Sequence, residues 1–154
     1  MFIVTARFSK RKAFLAITGL AALVVCFLLL FNGRTASGNS ANAADNEDRI
    51  AYLQSLGWEV SSEPLETLSV SLPDPLCEPY LSYNALQLAQ GFDLNAYCGK
   101  TLQRYTYAVT NYPGRESGCQ ADLYLCNNAI VGGDIVCAGE NGFMAGLAFP
   151  EKEP

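Results

Sequence analysis

Residues 119–137 read CQADLYLCNNAIVGGDIVC, two apolar stretches at 119–126 and 129–138 parted by Asn127-Asn128. Asparagine is one of the few residues that tolerate the positive φ of a tight turn, so the segment is read as an antiparallel hairpin. Gly132-Gly133 in the second stretch weakens regular pairing and marks a bulge or a close backbone approach. The two-residue turn sets Cys119 opposite Val136, and one extra bulge residue moves its partner to Cys137. Cys119–Cys137 is therefore the first disulfide expected under oxidising conditions, with Cys77–Cys98 the second. Cys126, beside the turn, lies too far along the ladder to reach Cys137.

Upstream, the segment from Thr101 to Tyr112 is rich in β-branched and aromatic residues, and Tyr105, Tyr107 and Val109 share one face at period two. Pro113-Gly114 ends that strand. A helix is expected from about Asn46 to Leu56, capped by Asn46, favoured by Glu47 and Asp48 at its positive end and stopped by Gly57. Trp58-Glu59-Val60 and Leu68–Leu72 alternate apolar with polar residues, a strand interrupted at Pro64. A second helix follows Pro79 with an apolar stripe of Leu81, Ala85 and Leu88, and closes at Gly91. Phe92 to Gly99 reads as a short helical turn that Asp93 can cap. Because the last three strands follow one another through short turns, the expected fold is α+β: two helices on one face of a small, mainly antiparallel sheet, preceded by one transmembrane helix.

Four phrases in this order carry a resemblance: Leu56-Gly57-Trp58; YNALQLAQGFDL from Tyr83 to Leu94; Arg104-Tyr105-Thr106-Tyr107 with Asn111-Tyr112-Pro113-Gly114; and Val131-Gly132-Gly133-Asp134. Over nearly all of residues 46 to 147 the chain resembles a family of small single-span proteins from clostridia-like Gram-positive bacteria, catalogued as a domain of unknown function. The resemblance implies a membrane-anchored extracytoplasmic domain and brings no activity, cofactor or catalytic residue with it. The many cysteines set this chain apart from that pattern.

Ahead of this domain, Ala13 to Phe31 is nineteen residues without a charge, AFLAITGLAALVVCFLLLF. At about 1.5 Å per residue it spans roughly 28 Å, enough to cross the hydrocarbon of a bilayer. Arg7, Lys10, Arg11 and Lys12 precede it, which places the N-terminus in the cytoplasm and the domain outside. The rival is a cleaved secretory signal ending at Ala41-Asn42-Ala43, against which count the length of the apolar run and the distance from its end to Ala43. A lipid-modified Cys26 is disfavoured by Val25, where a small residue is usual. Residues 32–45 hold Gly, Ser, Asn and Ala with no large apolar side chain, and read as a flexible tether. The chain thus divides into a basic tail (1–12), a membrane helix (13–31), a linker (32–45), an α+β domain (46–149) and a frayed tail (150–154).

After the apolar segment stand six basic and fifteen acidic residues, a balance of minus nine. Nucleic acid and anionic lipid are poor partners for such a surface, while cationic ligands and polybasic partners stay open. The bland account is that the acidity keeps the domain soluble. The chain has no histidine, which removes the usual general base of Ser and Cys hydrolases and the commonest zinc ligand. Cysteine spacings of 21, 21, 7 and 11 from Cys77 to Cys137 lack the short knuckles of a four-thiolate metal site. Gly132-Gly133 is followed by no Lys-Ser/Thr and opens no helix, so no phosphate-binding loop is read. No catalytic residue, cofactor or metal site is assigned.

Asp93, Asp122 and Asp134 are the carboxylates embedded in patterned segments, and their spacing alone places no two of them around one cleft. Asp93 is expected to cap a turn, and the other two to face solvent. With the apolar stripe of the second helix turned to the sheet, Asn84, Gln87 and Gln90 point away from it, and Arg104 lies opposite Tyr105 and Tyr107. These four residues form the expected partner surface. Ordinary solvation of a helix back and a strand explains them equally. The functional reading is a membrane-anchored interaction or sensing module, whose partner is a protein or envelope component. The alternatives are a cell-envelope enzyme using a carboxylate pair and a secreted domain released by cleavage.

Overall fold

The computed structural model describes residues 42–150, and the basic tail, the membrane segment 13–31 with Cys26, the linker to residue 41 and the last four residues lie outside the described part. Two helices, α1 (Asn46–Ser55) and α2 (Tyr80–Leu88), and a short 3-10 turn (Leu94–Tyr97) accompany five strands. These are β1 (Glu66–Ser71), β2 (Thr101–Val109), β3 (Cys119–Cys126), β4 (Ala129–Cys137) and β5 (Phe143–Ala145). The strands lie in sequence order, every pair antiparallel. Beyond the expected strands, β5 adds a three-residue edge.

The β3–β4 hairpin turns on Asn127 and Asn128, at φ 50° and 66°. Both values suit the type of two-residue turn whose twist matches that of the strands. The register slips by one between Tyr124 and Leu125, so that Leu125 faces Ile130 while Tyr124 faces Gly132. Val131 is the extra residue. With that bulge Cys119 stands opposite Cys137, and the two form the disulfide.

Side chains alternate across the sheet, and the two helices use different faces of it. Leu53, Trp58, Tyr107, Val109, Ala121, Leu123, Ile135 and Leu147 build the larger core, with Ile50 and Tyr52 of α1 packed against it. Leu72, Leu76, Leu94, Leu102, Cys126 and Val131 build the smaller one, with Tyr80 and Tyr83 of α2 against it. The expectation that both helices lie on one face is thus corrected. Tyr107 and Leu102 differ in parity along β2, so the helix over each must sit on opposite sides.

The first turn of α1 is capped by Asp45, whose Oδ1 accepts the Asp48 N–H at 3.0 Å, and not by Asn46. Asn46 is taken up elsewhere: its Oδ1 accepts from the Tyr107 hydroxyl at 2.9 Å and its Nδ2 donates to the Ser62 carbonyl at 2.7 Å. Asn42 to Asp45, at the end of the expected linker, belong to the packed domain. Ala43 is fully buried and its N–H donates to the Asn128 carbonyl at 2.8 Å. Arg49 holds the same segment by donating from Nη1 to the Ala43 and Ala44 carbonyls, while its guanidinium stacks 3.9 Å over the Tyr105 ring.

Candidate functional site

On the face that α2 covers, the side chains of β1 to β4 are Glu66, Leu68 and Val70; Leu102, Arg104 and Thr106; Asp122 and Tyr124; and Gly132 and Asp134. Helix α2 has only nine residues and shields part of this face. Beside it a cleft of about 480 Å³ stays open, lined by Val70, Leu72, Leu86, Leu94, Leu102 and Met144 with Tyr80, Tyr83, Tyr124, Pro79 and Ser82. Its volume falls in the range of small-molecule sites. Met144 (52 % exposed) brings a large apolar side chain to the cleft, and Leu68 (42 %) follows Val70 on the same strand face.

Behind the two tyrosines sits a charged group. Asp122 and Asp134 are direct cross-strand partners. Opposed residues of an antiparallel pair hold their Cβ atoms about 4.5–5.5 Å apart, so the two carboxylates share one environment. Tyr83 reaches from α2 to donate its hydroxyl to Asp134 Oδ2, and Thr106 donates to Asp122. Arg104 pairs with Glu66 across β1–β2. Tyr83 and Tyr124 meet edge to face, centroids 5.7 Å apart. Two buried polar atoms, Asp134 Oδ1 and Arg104 Nε, have no partner among the described residues.

Burial disfavours the charged form of both acids. It pushes the Asp134 carboxyl up to about 6, against the opposing pull of the Tyr83 hydrogen bond, while the Asp122 charge adds to the rise. Asp122 is raised in the same way, with Thr106 and Arg104 holding it back. Tyr83 and Tyr124 are raised by burial and by the Asp134 charge. Burial lowers Arg104, but Asp122 and Glu66 outweigh it and the net shift is upward. The pair thus behaves as two acids that resist simultaneous ionisation.

The expected positions of Asp122 and Asp134 on solvent faces are corrected: Asp134 is 1 % exposed and Asp122 is half-buried. Asp93 takes its expected place, capping the 3-10 turn by accepting the Asn95 N–H at 2.9 Å. One signal in the sequence could have found the carboxylate pair. The register that brings Cys119 to Cys137 also sets, three steps along each strand, Asp122 opposite Asp134.

The expected partner surface does not form. Helix α2 is turned over: Leu81 (47 %) and Leu88 (54 %) of its apolar stripe are exposed, while Asn84 (3 %) and Gln87 (0 %) are buried. The reason is that β5 ends at Ala145 and leaves Gly133 of β4, paired with Leu123 on one side, without a strand partner on the other. Gln87 fills the gap. Its Nε2 donates to the Gly133 carbonyl at 3.0 Å and its Oε1 accepts the Gly133 N–H at 2.9 Å, as a neighbouring backbone would. Gln90 continues the pairing, donating to Gly133 O at 3.1 Å and accepting Leu147 N–H at 2.6 Å. Asn84 Oδ1 accepts the Leu94 N–H at 2.7 Å. The glycine pair is required at this approach: a Cβ on Gly133 would lie 2.6 Å from Leu147 Cδ1 and 2.7 Å from the Asp122 carbonyl. Arg104 is the one member of the expected surface that stands with the charged groups behind the cleft lining. Cys77 and Cys98 are not joined but carry free thiols, one exposed and one half-buried, and Cys126 is free and buried.

A family described as Domain of unknown function (DUF4830) matches residues 52–135, more than half of the chain, and that span holds α2, the carboxylate pair and most of the cleft. No curated protein and no solved structure matches the chain.

Proposed function

The chain belongs to the DUF4830 family, whose description assigns no activity, and we propose from geometry that it is a membrane-anchored extracytoplasmic binding module for a small amphipathic ligand. The observation that carries the reading is the cleft beside α2, an apolar space of about 480 Å³ whose inner wall is two tyrosines backed by a carboxylate pair. Apolar walls with a few convergent polar groups are the usual make-up of a ligand site. Residues 13–31 serve as the anchor, with the basic tail in the cytoplasm and the domain outside. The linker of about ten residues before Asn42 has a reach on the order of 20 Å, which keeps the domain near the bilayer. The retained anchor is favoured over release at Ala43 because Ala43 is buried and hydrogen-bonded into the hairpin and to Arg49.

Two measurements test this. In intact cells, with the outer native cysteines replaced, Ser40→Cys should react with a membrane-impermeant maleimide; labelling only after lysis reverses the topology. In phosphatidylcholine nanodiscs, the full chain should give saturation-transfer NMR signals for phenylbutanol, and Ser82→Trp, which fills the cleft, should abolish them. Equal signals from the two proteins would remove the cleft as a binding site.

The Asp122–Asp134 pair supports a second reading, a cell-envelope enzyme. Two carboxyls of unequal acidity are the equipment of general acid–base hydrolysis. It ranks second because Asp134 is 1 % exposed with Tyr83 on one oxygen, and Thr106 donates to Asp122. Hydrolysis of an envelope polymer that is lost in both Asp122→Asn and Asp134→Asn would reverse the ranking.

A further inference from the structure

We propose that the ligand of this cleft is an amphipathic amine, an apolar body with one protonated nitrogen that settles over Tyr83 and Tyr124 in the field of Asp122 and Asp134. This rests on the reading of the cleft as a ligand site and adds the sign of the head group. Four ionisable side chains face this side of the sheet behind the residues that line the cleft: Glu66, Asp122, Asp134 and Arg104. Three are acids and one is a base. Arg104 is committed to Glu66 and lies close enough to Asp122 to lower its pKa, so among the described residues Asp134 has no cation paired with it directly. At 1 % exposure, its Oδ2 takes the Tyr83 hydroxyl and its Oδ1 takes nothing among the described residues.

A buried acceptor of this kind gains most from a charged donor. A neutral head group satisfies it less well, and a carboxylate or phosphate meets the excess negative charge behind the two tyrosines. The unpartnered Arg104 Nε does not reverse the sign, because its guanidinium is neutralised by Glu66 and Asp122. Aromatic faces at Tyr83 and Tyr124 suit a cation as well. The groups facing Asp134 from each packed element are Tyr83 of α2, Asp122 and Tyr124 of β3 and, further off, Arg104 of β2. Among them Asp134 changes charge near pH 6, towards negative as pH rises, and burial raises Asp122 in the same direction. Amine binding should therefore strengthen with pH.

The test uses the full chain in phosphatidylcholine nanodiscs, with empty nanodiscs subtracted, and three probes that share one body: phenylbutylamine, phenylbutanol and phenylbutyrate. The amine should bind about tenfold more tightly than the alcohol near pH 7, the acid most weakly, and the gap should narrow by about pH 5. Asp134→Asn should erase the amine's advantage and leave alcohol binding in place, with near-ultraviolet circular dichroism reporting on the fold. Tyr83→Phe, which keeps the cleft's shape, should reduce it too and serves if the first variant does not fold. An alcohol or acid that binds as tightly as the amine overturns the proposal while the cleft reading stands. So does an amine advantage that survives both variants. Failure of all three probes to bind removes the cleft reading and this proposal together.

Discussion

Asp134 shows how one residue sets the pH response of the molecule. Its carboxyl is raised from 3.8 to about 6 in the folded state, so the folded chain holds the proton more tightly than the unfolded one. Stabilisation by that proton is complete below the unfolded value, is lost as pH climbs towards 6, and changes no further above it. A shift of this size corresponds to about 3 kcal/mol. Asp122 is raised in the same sense, whereas the exposed Asp93, lowered by its hydrogen bonds to Asn95 and Asn84, works in the opposite direction. Asp134→Asn should make the urea midpoint fall less steeply between about pH 4 and 6 than the parent's does, and should leave the variant the more stable near pH 7. A parent whose stability rises through that interval would refute the assignment. Gly133 gives a second residue-scale expectation. Gly133→Ala forces a Cβ against Leu147 and the Asp122 carbonyl, so a loss of about 1–3 kcal/mol is expected by thermal unfolding.

At the scale of the element, α2 separates pattern from packing. Its exposed Leu81 and Leu88 and its buried Gln87 invert what hydrophobic periodicity implies. Leu81→Lys with Leu88→Lys should change stability by less than about 0.5 kcal/mol per site. Gln87→Ala removes the acceptor of the Gly133 N–H and leaves the Gly133 C=O to Gln90 alone, and should cost about 2–4 kcal/mol. The reverse ranking in a denaturant titration would restore the conventional orientation. The position of α2 was legible from Pro79 and Gly91, and the hairpin was legible from Asn127-Asn128, because turn chemistry is local. The facing of α2 was not, since it depends on β5 stopping at Ala145 and leaving a strand edge that an amide must complete. Nor was the division of the helices between two faces, which depends on the parity of contacts far apart in the chain. The carboxylate pair lay between these cases: its register was derivable, and only its burial under Tyr83 required the tertiary structure.

Across the whole molecule, the two cores share one sheet, and the disulfide sits under the larger of them. Among the described residues every buried core residue falls between Ala43 and Leu147, so a chain beginning at residue 32 should be soluble and unfold in one cooperative step. Cys119 and Cys137, eighteen residues apart, close a loop around the hairpin that the turn and the β3–β4 ladder already form. Cross-linking therefore acts mainly on the unfolded chain, by removing the freedom of that loop, and a loop of this length gives about 3 kcal/mol. Reduction should lower the urea midpoint by the corresponding amount without changing the folded state's circular dichroism. Cys119→Ser with Cys137→Ser should match the reduced protein and respond no further to reductant. Cys77, Cys98 and Cys126 are free, so the oxidised protein should titrate three thiols within residues 42–150. Two fewer would mean that Cys77 and Cys98 close a second loop in solution. No loss of stability on reduction would mean that the hairpin is held by its register alone.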